Sequence, residues 1–266
     1  MFSHFTLGTN DLQRSRRFYE ATLSTFELVY RGEDEFMMLF GSADKDYPHF
    51  FLCAPYDHLP ATWSNGFHLA FNADSTDAVD SFYHTALANG GIDEGAPGLR
   101  PHYGKDYYGA YVRDPDGNKL QSVCYTNGRS HAGNKTVISH ITLGLSDLKR
   151  EQRFYDAVMA TIGLKNLPNE GDEESVGYGY VNSDLPVVYV QPPFDGRAAT
   201  WGNGTHVAFH ADSHQMVNDF HDAAINNGGS SDGEPGYRQD YTHPYYACYV
   251  RDAVGNKLQA VCRREE

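Results

Sequence analysis

The chain has 266 residues, 40% of them apolar and 14% aromatic, enough to bury the cores of two ordinary modules and far from a disordered composition. Its 21 Lys and Arg stand against 35 Asp and Glu, a formal charge of -14, so neither nucleic acid nor an anionic membrane is expected as a partner. The sequence holds no run of eighteen apolar residues, and its opening, MFSHFTLGTND, lacks a signal-peptide profile, so a cytoplasmic location is expected.

Taken in chain order, HFTLG alternates, which puts His4, Thr6 and Gly8 on one face of a strand and Phe5 and Leu7 on the other. Asn10 and Asp11 cap a helix whose apolar stripe is Leu12, Phe18, Tyr19 and Leu23. Strand-like runs follow over residues 27–30, 36–40 and 49–53, and after the Trp63 loop FHLAFNA reads as another strand. A second helix runs from a Ser75 cap to a Gly90-Gly91 stop, and Tyr107 to Tyr125 forms a hairpin turned by Asp116-Gly117. The order strand, helix, three strands is thus read twice before residue 126, and then twice more.

Whole-module duplication explains the second half. SHFTLGTNDLQRSRRFYEATL at Ser3 returns as SHITLGLSDLKREQRFYDAVM at Ser139, and ATWSNGFHLAFNAD at Ala61 returns as ATWGNGTHVAFHAD at Ala199. The expected organisation is a first module over residues 1–127, a polar linker over 128–137 and a second module over 138–266. Cys124 and Cys262 occupy equivalent positions and no C-x-x-C pair is present, so Cys53, Cys124, Cys248 and Cys262 read as free thiols. If the helices cover the Phe5 and Leu7 face, then His4, His68 and Gln121 project onto the opposite, concave face, as do His140, His206 and Gln259.

The paired units, the histidine of SHFTLG, the histidine of GFHLAF and the ending RDPDGNKLQ together resemble the vicinal oxygen chelate superfamily of glyoxalase I, extradiol dioxygenases and bleomycin-resistance proteins. The resemblance implies an α+β fold in which each tandem module has two βαβββ units that form a curved mixed sheet around a cleft, with helices outside. It also implies a metal ligand on each of three strands. Carried onto this chain, the metal residues are His4, His68 and Gln121, and again His140, His206 and Gln259. The family's third ligand is a glutamate, whereas here it is a glutamine in both halves. An amide offers a neutral oxygen and no base, so affinity for a cation falls and the proton-transfer route of glyoxalase I loses its carboxylate.

Three readings of these sets stand side by side. In one, a divalent ion (Zn, Ni, Fe or Mn) acts as a Lewis acid toward a small oxygen-bearing substrate, in a lyase, isomerase or dioxygenase-like reaction. In another, a metal-free cleft binds a small molecule, as a bleomycin-resistance protein does. In the third, the histidines are merely satisfied by core partners. Candidate substrate-binding residues are Trp63, Tyr111 and Arg100 in the first half and Trp201, Tyr249 and Arg238 in the second. The turn between Tyr111 and Gln121 hides the phase, so Tyr111 and Tyr249 face either the cavity or the helices, and Tyr108 and Tyr246 share that ambiguity. His210 extends the strand of His206 toward the second cavity, while His84, His131 and His221 read as surface residues. The chain contains no phosphate loop, dinucleotide fingerprint or nucleophile elbow. A small-molecule ligand and a monomer or homodimer are the expected partners.

Overall fold

The computed structural model describes residues 1–43, 49–128, 137–167, 174–183, 185–241 and 244–265, which form sixteen strands and four helices. The first unit is β1 (Phe2–Gly8), α1 (Leu12–Ser24), β2 (Leu28–Glu33), β3 (Met37–Ser42) and β4 (Phe50–Cys53). The second is β5 (His68–Asn72), α2 (Thr76–Ala88), β6 (Ile92–Leu99), β7 (Tyr107–Arg113) and β8 (Lys119–Tyr125). The third is β9 (Ile138–Gly144), α3 (Leu148–Thr161), β10 (Lys165–Leu167), β11 (Val176–Gly179) and β12 (Val188–Gln191). The fourth is β13 (His206–His210), α4 (His214–Asn226), β14 (Ser230–Tyr237), β15 (Tyr246–Arg251) and β16 (Lys257–Cys262). The fold is α+β, built from duplicated βαβββ units with two mixed eight-stranded sheets. The linker expected over 128–137 lies, except for its two end residues, outside the described residues, as does His131.

Local chemistry sets the helices where the sequence expects them. The side chains of Asp11, Ser75, Asp147 and Ser213 each accept a hydrogen bond from the backbone N–H three residues on, satisfying a donor that the first turn leaves unpaired. Phe18, Tyr19 and Leu23 of α1 are buried with Phe5 and Leu7 of β1, so the second strand face carries His4 and Thr6. Within each half the two helices touch: α1 meets α2 and α3 meets α4, and Phe26, just after α1, stacks 4.8 Å from Phe71 of β5. Each half therefore buries its own helix pair.

The sheets obey a different division. Their strand orders are β14-β15-β16-β13-β1-β4-β3-β2 and β10-β11-β12-β9-β5-β8-β7-β6. One sheet joins the first unit to the fourth and the other joins the second to the third, so neither half closes a sheet alone. The cause is an edge: β1 pairs with β4 on one side and β13 with β16, which leaves one free edge on each, and those two edges pair antiparallel. Register is fixed because Thr6 faces His206 and His4 faces Ala208, keeping one face polar, whereas a one-residue slip would turn those side chains into the core. Asn203 Nδ2 to Asp57 Oδ1 and Asn65 Nδ2 to Asp195 Oδ1, both 3.0 Å, tie the flanking loops across the same seams.

The RDPDGN segment of the first half and RDAVGN of the second have the same structural task. Asp114 accepts from the backbone N–H groups of Asp116 and Asn118 and from the Tyr19 hydroxyl at 2.6 Å, docking the β7–β8 turn onto α1. Asp252 and Tyr155 repeat the contact at 2.5 Å. Gly117 has φ +92°, and a Cβ there would stand 2.7 Å from Trp63 Cδ1, so glycine is required twice over.

Candidate functional site

Each sheet carries one row of side chains across four neighbouring strands. In the first sheet, His4 on β1 stands opposite Ala208 on β13, Ala208 beside Gln259 on β16, and Gln259 opposite Tyr249 on β15. In the second, the row reads His140, Ala70, Gln121 and Tyr111. A second histidine lies two residues back from each alanine, on the same face. His206 joins the first row and His68 the second, facing Thr6 and Thr142. The alanine between histidine and glutamine is fully buried, packed with Tyr245 and Val261 in the first row and with Tyr107 and Val123 in the second.

The structure thus brings together His4, His206 and Gln259 in one cleft and His140, His68 and Gln121 in the other. The motif-based grouping of His4 with His68, and of His140 with His206, is re-sorted because strand partners come from the opposite half. Near-identical spacing in the two halves carries no information about which half supplies the neighbour.

In the first cleft the Nε2 atoms of His4 and His206 are 3.4 Å apart and the rings stand at 90°. In the second the His68 and His140 rings lie edge to face, with centroids 5.6 Å apart. Ser3 Oγ meets His4 Nδ1 at 3.0 Å, and Ser139 Oγ meets His140 Nδ1 at 2.9 Å, so a hydroxyl fixes the outer ring nitrogen and turns Nε2 toward the cleft. Burial is the main force on the histidine charges. It holds His4 well below the ordinary range, helped by His206, Arg263 and His49, and with neighbouring Lys119 or Lys257 it lowers His68 and His206 to about 3. These rings are neutral at physiological pH.

The glutamines are fully buried. Gln121 Nε2 donates to the Tyr107 hydroxyl at 2.5 Å and to the Tyr111 hydroxyl at 3.0 Å, and Gln259 Nε2 donates to the Tyr245 hydroxyl at 2.9 Å. With the amide nitrogen held by phenols, the oxygen points the other way; neither Gln121 Oε1 nor Gln259 Oε1 makes a fully formed hydrogen bond, although each glutamine acts on the ring of His68 or His206 and favours its protonated form. Burial raises Tyr107, Tyr111, Tyr245 and Tyr249, so all four phenols keep their protons. Among the described residues, no three His, Cys, Asp or Glu cluster closely enough to share an ion, since each cleft's third convergent group is an amide.

The histidine pair of the first cleft nonetheless has the spacing of two ligands on one cation. Two nitrogens about 2.1 Å from one tetrahedral ion lie about 3.4 Å apart, which matches the His4 and His206 separation. The buried amide oxygens supply an acceptor without a fully formed hydrogen bond in each cleft, and the neutral imidazoles have lone pairs to give.

Of the other candidates, Tyr111 and Tyr249 resolve toward the clefts, edge-on to His68 and His206 with centroids 5.8 and 6.0 Å apart. Tyr108 and Tyr246 face the helices, bonded to Asp80 and Asn218. Trp63 and Trp201 pack on the Gly117 and Gly255 turns beneath Arg113 and Arg251, and Trp201 shares the wall of a small cavity with His206 and Lys257. Arg238 lies over the Tyr249 ring at 5.5 Å, and Arg100 and Arg238 both donate to carbonyls of their own strand segments, Ala96 and Glu234. His210 sits with Asp212, 3.5 Å away, at the far end of β13. His84 is exposed as expected, whereas His221 is buried and bonded to Ser231. Sequence reasoning passed over Tyr107, Tyr245, Ser3 and Ser139; their equal placement in the two repeats was the available signal.

The model of the Glyoxalase/Bleomycin resistance protein/Dioxygenase superfamily matches residues 1–121, and the chain belongs to that superfamily. Among solved structures, glyoxalase I from Zea mays is 20% identical, aligned over 98% of this chain and 92% of its own, with a TM-score of 0.71. A Bacillus subtilis protein described provisionally as a dioxygenase is 17% identical over 99% of this chain and 85% of its own, with a TM-score of 0.63. A glyoxalase/bleomycin resistance protein from Albidiferax ferrireducens is 36% identical over 46% of this chain and 97% of its own, with a TM-score of 0.42. No curated protein matches the chain. Among the described residues, no helix is long and apolar enough to cross a membrane.

Proposed function

We propose that each cleft holds one divalent cation through two imidazoles and a glutamine oxygen, and that the protein is an enzyme acting on a small molecule with neighbouring oxygens. The carrying observation is the pair of buried glutamine oxygens, which make no fully formed hydrogen bond and act on His68 in one cleft and His206 in the other. A buried acceptor left short of a hydrogen bond costs up to about 1–3 kcal/mol, and an occupant that accepts its lone pair removes the cost in both clefts at once. Zinc, nickel, iron and manganese are the candidates, imidazole favouring the first three.

A bound ion would supply Lewis acidity toward a substrate oxygen. The chain's own groups do the rest. Ser3 and Ser139 orient His4 and His140, while Tyr107, Tyr111 and Tyr245 orient the glutamines. Each phenol that accepts from an amide keeps its own proton to donate to a substrate oxygen. The rows contain no carboxylate, and histidines held near 3 are weak bases, so the clefts suit polarisation of a carbonyl or capture of paired oxygens better than proton abstraction from carbon. A second reading, small-molecule binding without catalysis, draws on one observation: the family's carboxylate position is an amide in both rows.

Elemental analysis of protein purified without chelator or nickel resin, then supplied with zinc, tests the reading. We expect two ions per chain in the wild type, one in the double variant His4→Ala/His206→Ala, and none in His4→Ala/His68→Ala. Retention that appears only after Gln121→Glu or Gln259→Glu would sink the catalytic-metal reading and favour the binding one.

A further inference from the structure

Both clefts lie at seams between the halves, so their content depends on which surfaces pair. Each takes one histidine from either half, His4 with His206 and His140 with His68. The loops ahead of β5 and β13 meet across those seams: the Asn203 backbone N–H donates to Thr62 Oγ1 at 2.9 Å, and that of Asn65 to Thr200 Oγ1 at 2.8 Å. These paired bonds are nearly symmetric, but the residues around them are not. Where the first loop reads ATWSNGFH the second reads ATWGNGTH, so Ser64 corresponds to Gly202 and Phe67 to Thr205. The two differences fit each other across the seam. A Cβ on Gly202 would stand 2.9 Å from Ser64 Oγ and 2.7 Å from the Thr62 carbonyl oxygen, so the glycine of one half makes room for the serine of the other. Phe67 and Thr205 line one small cavity with Leu143 and Val207; Phe67 is buried in the core, and Thr205 Oγ1 is enclosed without a hydrogen bond. That space takes one aromatic ring and has no room for a second.

We infer that the seam is keyed as a heterotypic interface, on which the first half fits the second and neither half fits a copy of itself. Two first halves would set serine against serine at a backbone carbonyl and drive a second ring into a filled space. Two second halves would set glycine against glycine and threonine against threonine, with a void where Phe67 stands. Like-with-like pairing would also change the clefts, joining His4 to His68 or His140 to His206. The key therefore specifies one cleft of each composition per chain.

Full-length variants test this by rewriting the key. Gly202→Ser/Thr205→Phe gives both loops the first half's residues, and Ser64→Gly/Phe67→Thr gives both the second half's. The fourfold exchange inverts the key and keeps it complementary. Melting temperatures of the four proteins, followed by circular dichroism in the presence of chelator, form a double-mutant cycle. We expect each double variant to melt at least about 4 °C below the wild type, and the fourfold variant to lose less than half of the two losses added together. If a double variant does not fold, Gly202→Ser with and without Ser64→Gly is judged by the same rule. A smaller shift in either double variant, or a fourfold loss of half the sum or more, overturns the inference.

Discussion

Lowering the pH from 8 to 5 should destabilise this protein in part through two largely buried histidines, His68 and His206. Burial holds His68 and His206 at about 3 in the folded state, against 6.5 for a free side chain. A depressed histidine contributes stability that is complete above the unfolded value and is lost as pH falls toward the folded one. At pH 5 the unfolded chain gains protons at both sites and the folded chain does not, which favours unfolding by about 2 kcal/mol per histidine, or about 4 kcal/mol for the pair. Both rings keep some contact with solvent, so this is an upper figure. Denaturant unfolding in the presence of chelator, at pH 8 and pH 5, gives the loss for the wild type and for His68→Gln/His206→Gln. The double variant should lose about 3–4 kcal/mol less than the wild type over this interval. A variant whose loss matches the wild type within about 1 kcal/mol would refute the claim that these rings are buried in neutral form.

Tyr19→Phe removes a hydroxyl donor from buried Asp114 and should cost about 1–3 kcal/mol in denaturant unfolding, an effect that Tyr155→Phe repeats at Asp252. Gly255→Ala places a Cβ 2.5 Å from Trp201 at a backbone φ of +106° and should lower the melting temperature by several degrees, with a change in tryptophan fluorescence. Ala208→Leu crowds the packed floor between His4 and Gln259. It should remove one zinc per chain while leaving far-ultraviolet circular dichroism unchanged, and two retained zincs would show that the ion does not sit over that alanine.

Much of this architecture can be read along the chain because its signals are local. Alternation in HFTLG, the caps at Asp11 and Ser75 and the near-constant repeat offset depend only on neighbours in sequence, and they locate β1, α1, α2 and the duplication. The strand β6, by contrast, is rich in Gly and Pro, with Gly95 at φ +150° and register shifts at Gly95 and Gly98, so it shows no alternation and Ile92 is its one β-branched residue. The site residues are legible one by one, since His4, His68, Gln121 and their repeats stand on predictable faces. Their grouping is not, because it follows from edge pairing between β1 and β13 and between β5 and β9, across more than 60 residues in each case. The phase of Tyr111 is hidden for a related reason: the turn at Gly117 resets the alternation between it and Gln121.

The pairing of β1 with β13 and β5 with β9 also frees the protein to specialise. In a symmetric dimer of single modules, every substitution appears in both clefts, because both are made of the same two surfaces. Here the two seams join four different segments, so a mutation at Gln259 or Gln121 alters one cleft and spares the other. Covalent fusion thereby turns a forced symmetry into two independently heritable pockets on one scaffold.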